Sequence, residues 1–305
     1  MHRWTLLASA FALLGLTSVS ATPFNPAEFG GRDQGYLVPG VYFTSAADTS
    51  AVGLTNTCNA HQVHWVFTDT SGTVQGRGSF TILPTETRPF VLAQALPASA
   101  VGRFGTLMFV SDTDGDGKLT SADEQCLVVE AFHADLTRND AVFLPVWPFN
   151  TYDFPGGPGT GINDLSIMVP GMLSRLSSGI EDEPGADVRT IYLRYSIGGG
   201  DATRMVVWSA ETVTQPLLSL VSQFDGSKAE LVPITLPGTQ LSVLDVGTLG
   251  FPSGLTNGLI AMVAPDDGVG DYADTAGDGN GIAAYTVIES PSLGAAQTIL
   301  ATWSR

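Results

Sequence analysis

The sequence predicts an all-β protein made of two tandem antiparallel β-sandwich domains of immunoglobulin-like architecture, related by an internal duplication. Most apolar runs are about four to eight residues long, rich in Val, Ile, Phe, Tyr and Thr, and bounded by turn residues, as strands are. The 35 Gly and 18 Pro are spread along the chain, which suits many short strands joined by turns. In addition, features of the first half recur in the same order in the second.

The first 21 residues predict a signal peptide. Arg3 precedes an apolar stretch at residues 6–16, which is too short to span a bilayer, and Val19-Ser20-Ala21 forms a small-residue cleavage site. A buried N-terminal helix is the alternative. The expected organisation is therefore a leader at 1–21 and two sandwiches at 22–150 and 151–305, in a secreted protein that is extracellular or periplasmic.

The composition is strongly acidic and rich in core-forming residues. Hydrophobic residues make up 44% of the 305 positions and the formal net charge is −17. Loss of the leader, which contains Arg3 and no acid, leaves 12 basic and 30 acidic residues, a charge of −18. Such a surface repels nucleic acid and anionic lipid, so we expect neither nucleic-acid binding nor membrane insertion. An acidic surface suits the binding of multivalent cations. The alternative is that the acidic charge only keeps the protein soluble.

Fourteen segments along the chain have strand character, and one of them, 126–136, has a helical alternative because Ser121 and Glu124 resemble a capping box. The repeat favours the strand there. The predicted strands are 36–44, 51–56, 62–68, 78–83, 106–111, 126–136 and 141–147 in the first half, and 165–169, 189–196, 204–210, 231–236, 258–264, 283–289 and 297–303 in the second.

The predicted duplication rests on four features shared by the two halves: a tryptophan, a Leu-Pro turn, an apolar run and, after an acidic Gly-rich loop, a further strand. They lie at Trp65, 83–85, 107–110 and 127–130, and again at Trp208, 236–239, 260–263 and 285–289. Both tryptophans are expected in cores. We expect the domain boundary in the Gly/Pro-rich stretch at 153–161.

Two cysteines, Cys58 and Cys126, remain after the leader is removed. An even count in an oxidising compartment predicts a disulfide, which would close a long loop. Two unpaired buried thiols are the alternative.

Residues 112–123, here called the first acidic loop, fit the twelve-position pattern of a calcium-binding loop. Carboxylates at positions 1, 3 and 5 supply hard oxygen ligands, glycine at position 6 permits a sharp turn, and an apolar residue follows the position-7 carbonyl. The predicted ligands are Asp112, Asp114, Asp116, the carbonyl of Lys118, Thr120 and Asp123. An acidic surface turn without metal is the alternative.

This loop resembles those of EF-hands and of the dockerin and thrombospondin type 3 calcium repeats. The resemblance covers only the loop and implies Ca²⁺ binding. Residues 106–111 have the pattern of a strand, whereas a paired EF-hand has flanking helices. We therefore expect a structural ion rather than a sensor that opens a helix pair.

The second acidic loop, residues 266–280, has no standard ligand spacing. A second Ca²⁺ site and a hydrated loop without metal are both open. Its oxygen-bearing side chains are Asp266, Asp267, Asp271, Asp274, Asp278 and Asn280.

The sequence shows no catalytic centre. Only His61, His64 and His133 remain after the leader, and no nucleophile elbow, zinc-protease motif or P-loop occurs. Aromatic residues at 147–152 could bind sugar, but packing between the sandwiches is the favoured role.

The expected function is therefore non-enzymatic: a structural or adhesive protein of the cell surface, matrix or an extracellular filament, stabilised by Ca²⁺. Its partners would be further copies of itself or a cell-surface polymer. An extracellular carbohydrate-binding or polysaccharide-degrading protein is the alternative. The opening segment, 36–46, resembles the start of secreted bacterial β-proteins of unassigned role, which supports export and fold only.

Overall fold

A computed structural model describes residues 33–155, 161–174, 176, 190–210, 212–213, 215–263, 282–291 and 295–304. This described part of the protein is all-β and forms four antiparallel sheets, as the sequence predicts. The leader at 1–21 and the second acidic loop lie outside the described residues. No helix among the described residues is both long enough and apolar enough to cross a membrane.

Ten strands and one short helix are described in the first half. Its elements are β1 Gly35–Val41, β2 Phe43–Ser45, β3 Asp48–Asn56, β4 His61–Asp69, β5 Val74–Ile82, β6 Thr87–Val91, α1 Leu92–Ala95, β7 Gly105–Asp112, β8 Leu127–Asp135, β9 Asp140–Leu144 and β10 Trp147–Phe149. Short 3₁₀ turns occur at Ala98–Ala100, Thr151–Asp153, Leu165–Ile167 and Pro170–Met172.

Nine strands are described in the second half. They are β11 Thr190–Ser196, β12 Ala202–Ser209, β13 Leu217–Gln223, β14 Ala229–Ile234, β15 Leu241–Asp245, β16 Asn257–Val263, β17 Ile282–Ser290, β18 Ala295–Leu300 and β19 Thr302–Ser304. A 3₁₀ turn at Val246–Thr248 follows β15.

The sheets of the two halves have matching strand orders. Sheet I is β10-β1-β7-β4-β5, and sheet III, read in the same direction, is β19-β11-β16-β13-β14. Sheet II is β6-β3-β8-β9 with β2 also on β3, and sheet IV is β15-β12-β17-β18. Every described strand of the second half therefore has a counterpart in the first, in the same order along the chain.

Three of the four repeated sequence features fall on corresponding elements. The apolar runs lie on β7 and β16, the Leu-Pro turns follow β5 and β14, and the segments after the acidic loops lie on β8 and β17. The tryptophans do not correspond. Trp65 is on β4 and partly buried, whereas Trp208 is on β12, the counterpart of β3, and fully buried.

Residues 126–136 form a strand and not a helix, as the repeat predicts. The predicted strand at 165–169 is wrong, because Leu165–Ile167 is a 3₁₀ turn whose Asp164 side chain accepts the Ser166 N–H. Leu165 and Met168 are buried in the core of the first half, whereas Ile167 is 56% exposed. Strands β6, β13 and β15 were not predicted.

Sheet IV is buried on both faces. Met205, Val207 and Ala284 belong to a core shared only with sheet III. Their neighbours Val206, Trp208 and Tyr285 point the other way, into the larger core of the first half. Since alternate residues of a strand face opposite sides, this doubly buried pattern makes sheet IV an internal layer between sheet III and the first half.

The segment 161–174, here called the connector, covers the outer face of sheet I. Leu165, Met168 and Leu173 are each at most 2% exposed, and Arg77 of β5 donates to the carbonyl of Ser166. All eight residues of β7 are buried. The connector thus gives sheet I a second packed face.

Candidate metal centre

The first acidic loop joins the two sheets of the first half. It begins at Asp112, the last residue of β7 in sheet I, and ends just before β8 in sheet II. Gly115 and Gly117 both have φ of +77°, a backbone conformation in which a side chain is strained, so these glycines permit the tight turns. The loop therefore folds back sharply enough to bring its carboxylates together.

Asp112, Asp114 and Asp116 converge as predicted. One carboxylate oxygen of each lies within 4.8 Å of one from the other two. Backbone N–H groups orient them: Gly115 and Gly117 donate to Asp112, Asp116 donates to Asp114, and Lys118 donates to Asp116. Carboxylate oxygens at this spacing are ligands that a hard divalent cation prefers, and they repel one another without one.

The predicted ligand Asp123 lies apart from this triad. Its Oδ1 accepts the Thr113 N–H and its Oδ2 accepts the Thr120 N–H, at 2.9 and 2.8 Å, and the residue is 4% exposed. Asp123 therefore joins the entrance of the loop to its exit. Its role as the twelfth-position ligand stays a prediction.

The other two predicted ligands have partners within the loop. The Lys118 ammonium is 3.4 Å from Asp116 Oδ2, a weak exposed ion pair that water screens. The Thr120 hydroxyl accepts the Ala122 N–H. The roles of the Lys118 carbonyl and of Thr120 as metal ligands stay predictions.

The predicted disulfide is confirmed. Cys58 and Cys126 are joined, with Cα atoms 5.4 Å apart. Cys58 follows β3 and Cys126 precedes β8, two strands that pair as far as Asn56 and Leu127. Thr57 donates both its N–H and its hydroxyl to the carbonyl of Cys126. The bond thus closes the end of the β3–β8 ladder three residues beyond the acidic loop.

Gln34, which the sequence analysis did not identify, holds the loop to the rest of the first half. Its amide nitrogen donates to the carbonyls of Thr120 and Asp123, at 2.9 and 2.7 Å, and its Oε1 accepts the Thr151 N–H. The side chain is 5% exposed. One glutamine thus connects the start of the fold, the acidic loop and the segment after β10; no local pattern reveals such contacts.

Replacing Gln34 with leucine should lower the free energy of unfolding by about 2 kcal/mol, because two carbonyls and one N–H lose a buried partner. Calcium affinity at the loop should fall as well, since the loop loses its attachment to β1. Urea unfolding and calcium titration measure the two effects. Gln62→Leu, at an exposed position of β4, is the control, and equal losses in both variants would contradict this role.

The connector also contacts the loop. Leu119 and Ile162 exchange two backbone hydrogen bonds, of 2.8 and 3.0 Å, and Leu165 donates to the carbonyl of Gly117. Gly161 permits this approach, because a Cβ at that position would lie 1.8 Å from the Leu119 carbonyl oxygen. The same connector therefore bonds the acidic loop and covers the outer face of sheet I.

His64 adjoins the loop, and Asp33 lies next to Gln34, which is bonded to the loop. His64 of β4 places Nε2 3.4 Å from Asp112 Oδ2. Burial raises the pKa of Asp33 from its ordinary value of 3.8 to about 7, and the negative charge of Asp153 adds to the rise. A carboxyl whose pKa is raised in the folded state stabilises the fold most at acid pH. Its contribution is present below pH 3.8 and is lost as the pH rises to about 7.

A polar cavity lies where the two halves meet. Arg138, in the turn after β8, contacts Glu289 of β17 at 3.3 Å, and Arg204 of β12 contacts the same carboxylate at 3.4 Å. The Arg204 guanidinium also lies over the rings of Tyr42 and Phe104, 5.1 and 4.9 Å from their centroids. These groups pair with one another across the junction, so they favour a role in joining the halves.

Beside this cavity, Asp48, His133 and Ser50 form a hydrogen-bonded chain. His133 Nε2 is 2.7 Å from Asp48 Oδ1, and its Nδ1 is 3.1 Å from Ser50 Oγ. Burial lowers the His133 pKa, against the opposing effect of Asp48. The order resembles a hydrolase triad, but Ser50 is fully buried and its oxygen also accepts the Tyr42 N–H. The hydroxyl is therefore inaccessible as a nucleophile.

The aromatic residues near the proposed boundary are mostly interior. Trp147 and Phe149 are 6% and 1% exposed, and Trp147 stacks on Tyr285 of the second half with centroids 6.1 Å apart. Tyr152 is exposed at 52%. Trp147 therefore packs between the halves, and Phe149 packs on Phe154, so neither ring is available as a surface for binding sugar.

The strongest candidate site is thus the carboxylate triad, on a loop that joins two sheets and is bonded to Gln34 and to the connector. Its chemistry is that of holding a divalent cation. The comparisons with known proteins add no assignment: no protein-family model, curated protein or solved structure matches this chain.

Proposed function

We propose that this protein is an exported, calcium-stabilised structural or adhesive protein of the cell surface, matrix or an extracellular filament, and that it is not an enzyme. The observation that carries the proposal is the triad of Asp112, Asp114 and Asp116 on the loop that joins sheets I and II. A cation held there would fix the connection between two sheets, which is a structural effect.

Calcium is the cation we propose. The triad offers only oxygen ligands, and a flexible Gly-containing loop can add carbonyl and hydroxyl oxygens to reach the six to eight that Ca²⁺ takes. Magnesium requires stricter octahedral geometry and keeps its waters. We propose Asp112, Asp114 and Asp116 as ligands, with the carbonyl of Lys118, Thr120 and Asp123 completing the shell. The second acidic loop connects β16 to β17, the counterparts of β7 and β8, and either a second site or a hydrated loop remains compatible with that position.

We further propose that each half is an immunoglobulin-like sandwich and that the two arose by duplication, with a boundary near residue 150. The matching strand orders of sheets I and III and of sheets II and IV support this. So do the corresponding positions of the apolar runs on β7 and β16. Two independent folds would share such an order of nine strands only by coincidence.

Export is supported by the leader pattern at 1–21 and by the disulfide, since such bonds persist in oxidising compartments. A non-enzymatic role is supported by the chemistry of the described residues. The serine of the Asp48–His133–Ser50 chain is buried, and the charged groups of the junction cavity pair with one another. The partners we propose are further copies of this chain or a cell-surface polymer.

Calcium should raise the melting temperature of the chelator-stripped mature chain, because an ion that binds only the folded state stabilises it. Extracellular calcium modules bind with Kd of about 10⁻⁴ to 10⁻³ M, and calcium at about 100 times Kd would add about 2.7 kcal/mol. Asp114→Ala and Asp116→Ala should each abolish binding at this loop. Calorimetric titration and thermal melts with and without calcium measure both.

Glu124→Gln is the matched control, since it removes one acid from the same connection but leaves the triad intact. Unchanged affinity in both alanine variants would refute the site. A single site lost in the variants assigns all binding to the first acidic loop, whereas a residual site assigns the remainder to another part of the chain.

A further inference from the structure

The outer face of sheet III carries large apolar side chains that nothing in the described part of the chain covers. Leu218, Leu220 and Leu231 are 57%, 44% and 62% exposed. Leu220 of β13 pairs with Leu231 of β14, and Leu218 pairs with Pro233, so the four side chains form one contiguous patch. Singly exposed leucines are ordinary, but a contiguous apolar patch on a sheet marks an interaction surface.

The described strands place no acidic residue on this face, although the chain carries 30 of them. The strand registers put Ser222 and Ala229 beyond the leucines on β13 and β14, Leu259 and Ala261 on β16, and Tyr192 and Arg194 on β11. In a protein of charge −17, such a face is where another acidic molecule can approach with least repulsion.

The corresponding face in the first half is covered. Val66 of β4 and Leu220 of β13 occupy equivalent positions in the two halves. Val66 pairs with Met108 and Leu220 pairs with Ala261, and each of these partners is the second residue of its apolar run. Val66 is 0% exposed beneath the connector, whereas Leu220 is 44% exposed. On β5, Val66 pairs with Arg77, whose side chain donates to the connector. On β14, Leu220 pairs with the exposed Leu231. Sheet III thus keeps the apolar face but shows no such cover among the described residues.

We propose that this face binds the same face of a second copy of the chain, giving a two-fold symmetric dimer. Two apolar sheet faces can pack as sheets do within a sandwich, and a self-complementary patch satisfies two-fold symmetry. Strand addition at the neighbouring edge is disfavoured, because Pro233 lies in the edge strand β14 and removes a donor there. The inference names the partner within the proposed structural role, but it does not depend on calcium.

Sedimentation velocity of the full exported chain, over a wide range of protein concentration, tests the proposal. We expect a reversible dimer that strengthens when salt is added, since salt screens the repulsion between two acidic chains and leaves the apolar contact intact. Leu220→Glu/Leu231→Glu should weaken dimerisation by about ten-fold or more, because each charge would be buried without a partner. Both positions are exposed in the single chain, so folding should be unaffected.

Leu83→Glu, at a leucine 58% exposed in the first half, is the matched control and should leave the dimer intact. A monomer at all concentrations, or a dimer that survives Leu220→Glu/Leu231→Glu, would overturn the proposal. Calcium titration of the same samples separates the two claims: calcium binding by a monomer refutes only the dimer, and a dimer without calcium binding refutes only the metal site.

Discussion

Replacing both cysteines with alanine should lower the free energy of unfolding by about 4 kcal/mol, the value that the chain-entropy treatment gives for closing a loop of this length. Cys58 and Cys126 are 68 residues apart in sequence, and four strands, β4 to β7, lie between them. For a chain of this size the melting temperature should fall by about 10 °C. Thermal and urea unfolding of the Cys58→Ala/Cys126→Ala variant measure the change.

Reduction of the wild-type protein provides the control. It should reproduce the melting temperature of the double alanine variant without altering any side chain volume. Calcium affinity should fall in both, because Cys126 lies three residues beyond Asp123 and anchors the exit of the loop. Equal melting temperatures for oxidised, reduced and alanine proteins would show that the bond contributes nothing to stability.

Trp208→Ala should destabilise both halves together, by about 3 to 5 kcal/mol, the usual cost of truncating a buried tryptophan. Trp208 is fully buried in the core that the second half shares with the first. Hydrogen exchange followed by mass spectrometry reads the halves separately. We expect faster exchange in β1 and β7 as well as in β12 and β17.

Two further substitutions test whether Trp208 couples the halves through the shared core. Val207→Ala removes a neighbouring side chain that points into the sheet III core, so its effect should be larger in the second half. Trp208→Phe should cost much less than alanine, because the indole N–H has no hydrogen-bond partner among the described residues and phenylalanine removes that unmet donor. If Trp208→Ala left exchange in the first half unchanged, the shared core would not couple the halves.

Local sequence patterns predicted the class of fold and the triad of the acidic loop. They did so because strand character depends on nearest neighbours, and because Asp112, Asp114 and Asp116 lie within five residues. The disulfide followed from the cysteine count. The packing of a segment against distant elements was less visible. Residues 165–169 form a short apolar run, as many strands do, yet Leu165 and Met168 pack into the core from a turn that pairs with no sheet.

The missed strands have a related cause. Pro89 argues against a strand at 87–91, but β6 is an edge strand bonded only to β3, where a proline is tolerated. Gln34 and the Arg204–Glu289–Arg138 junction were beyond prediction, because their partners lie about 90 to 150 residues away along the chain. Such contacts are set by how sheets stack, which a single sequence does not encode in any short pattern.

The position of sheet IV as an internal layer limits how this protein can be divided or rebuilt. A fragment containing only residues 190–304 would present Val206, Trp208 and Tyr285 to water, and a fragment ending near residue 150 would lose the layer that closes its own interior. Neither repeat is a self-sufficient building block. Transplanting or multiplying one of them in a designed array would require polar residues on the face of β12 and β17 that the other repeat now occupies.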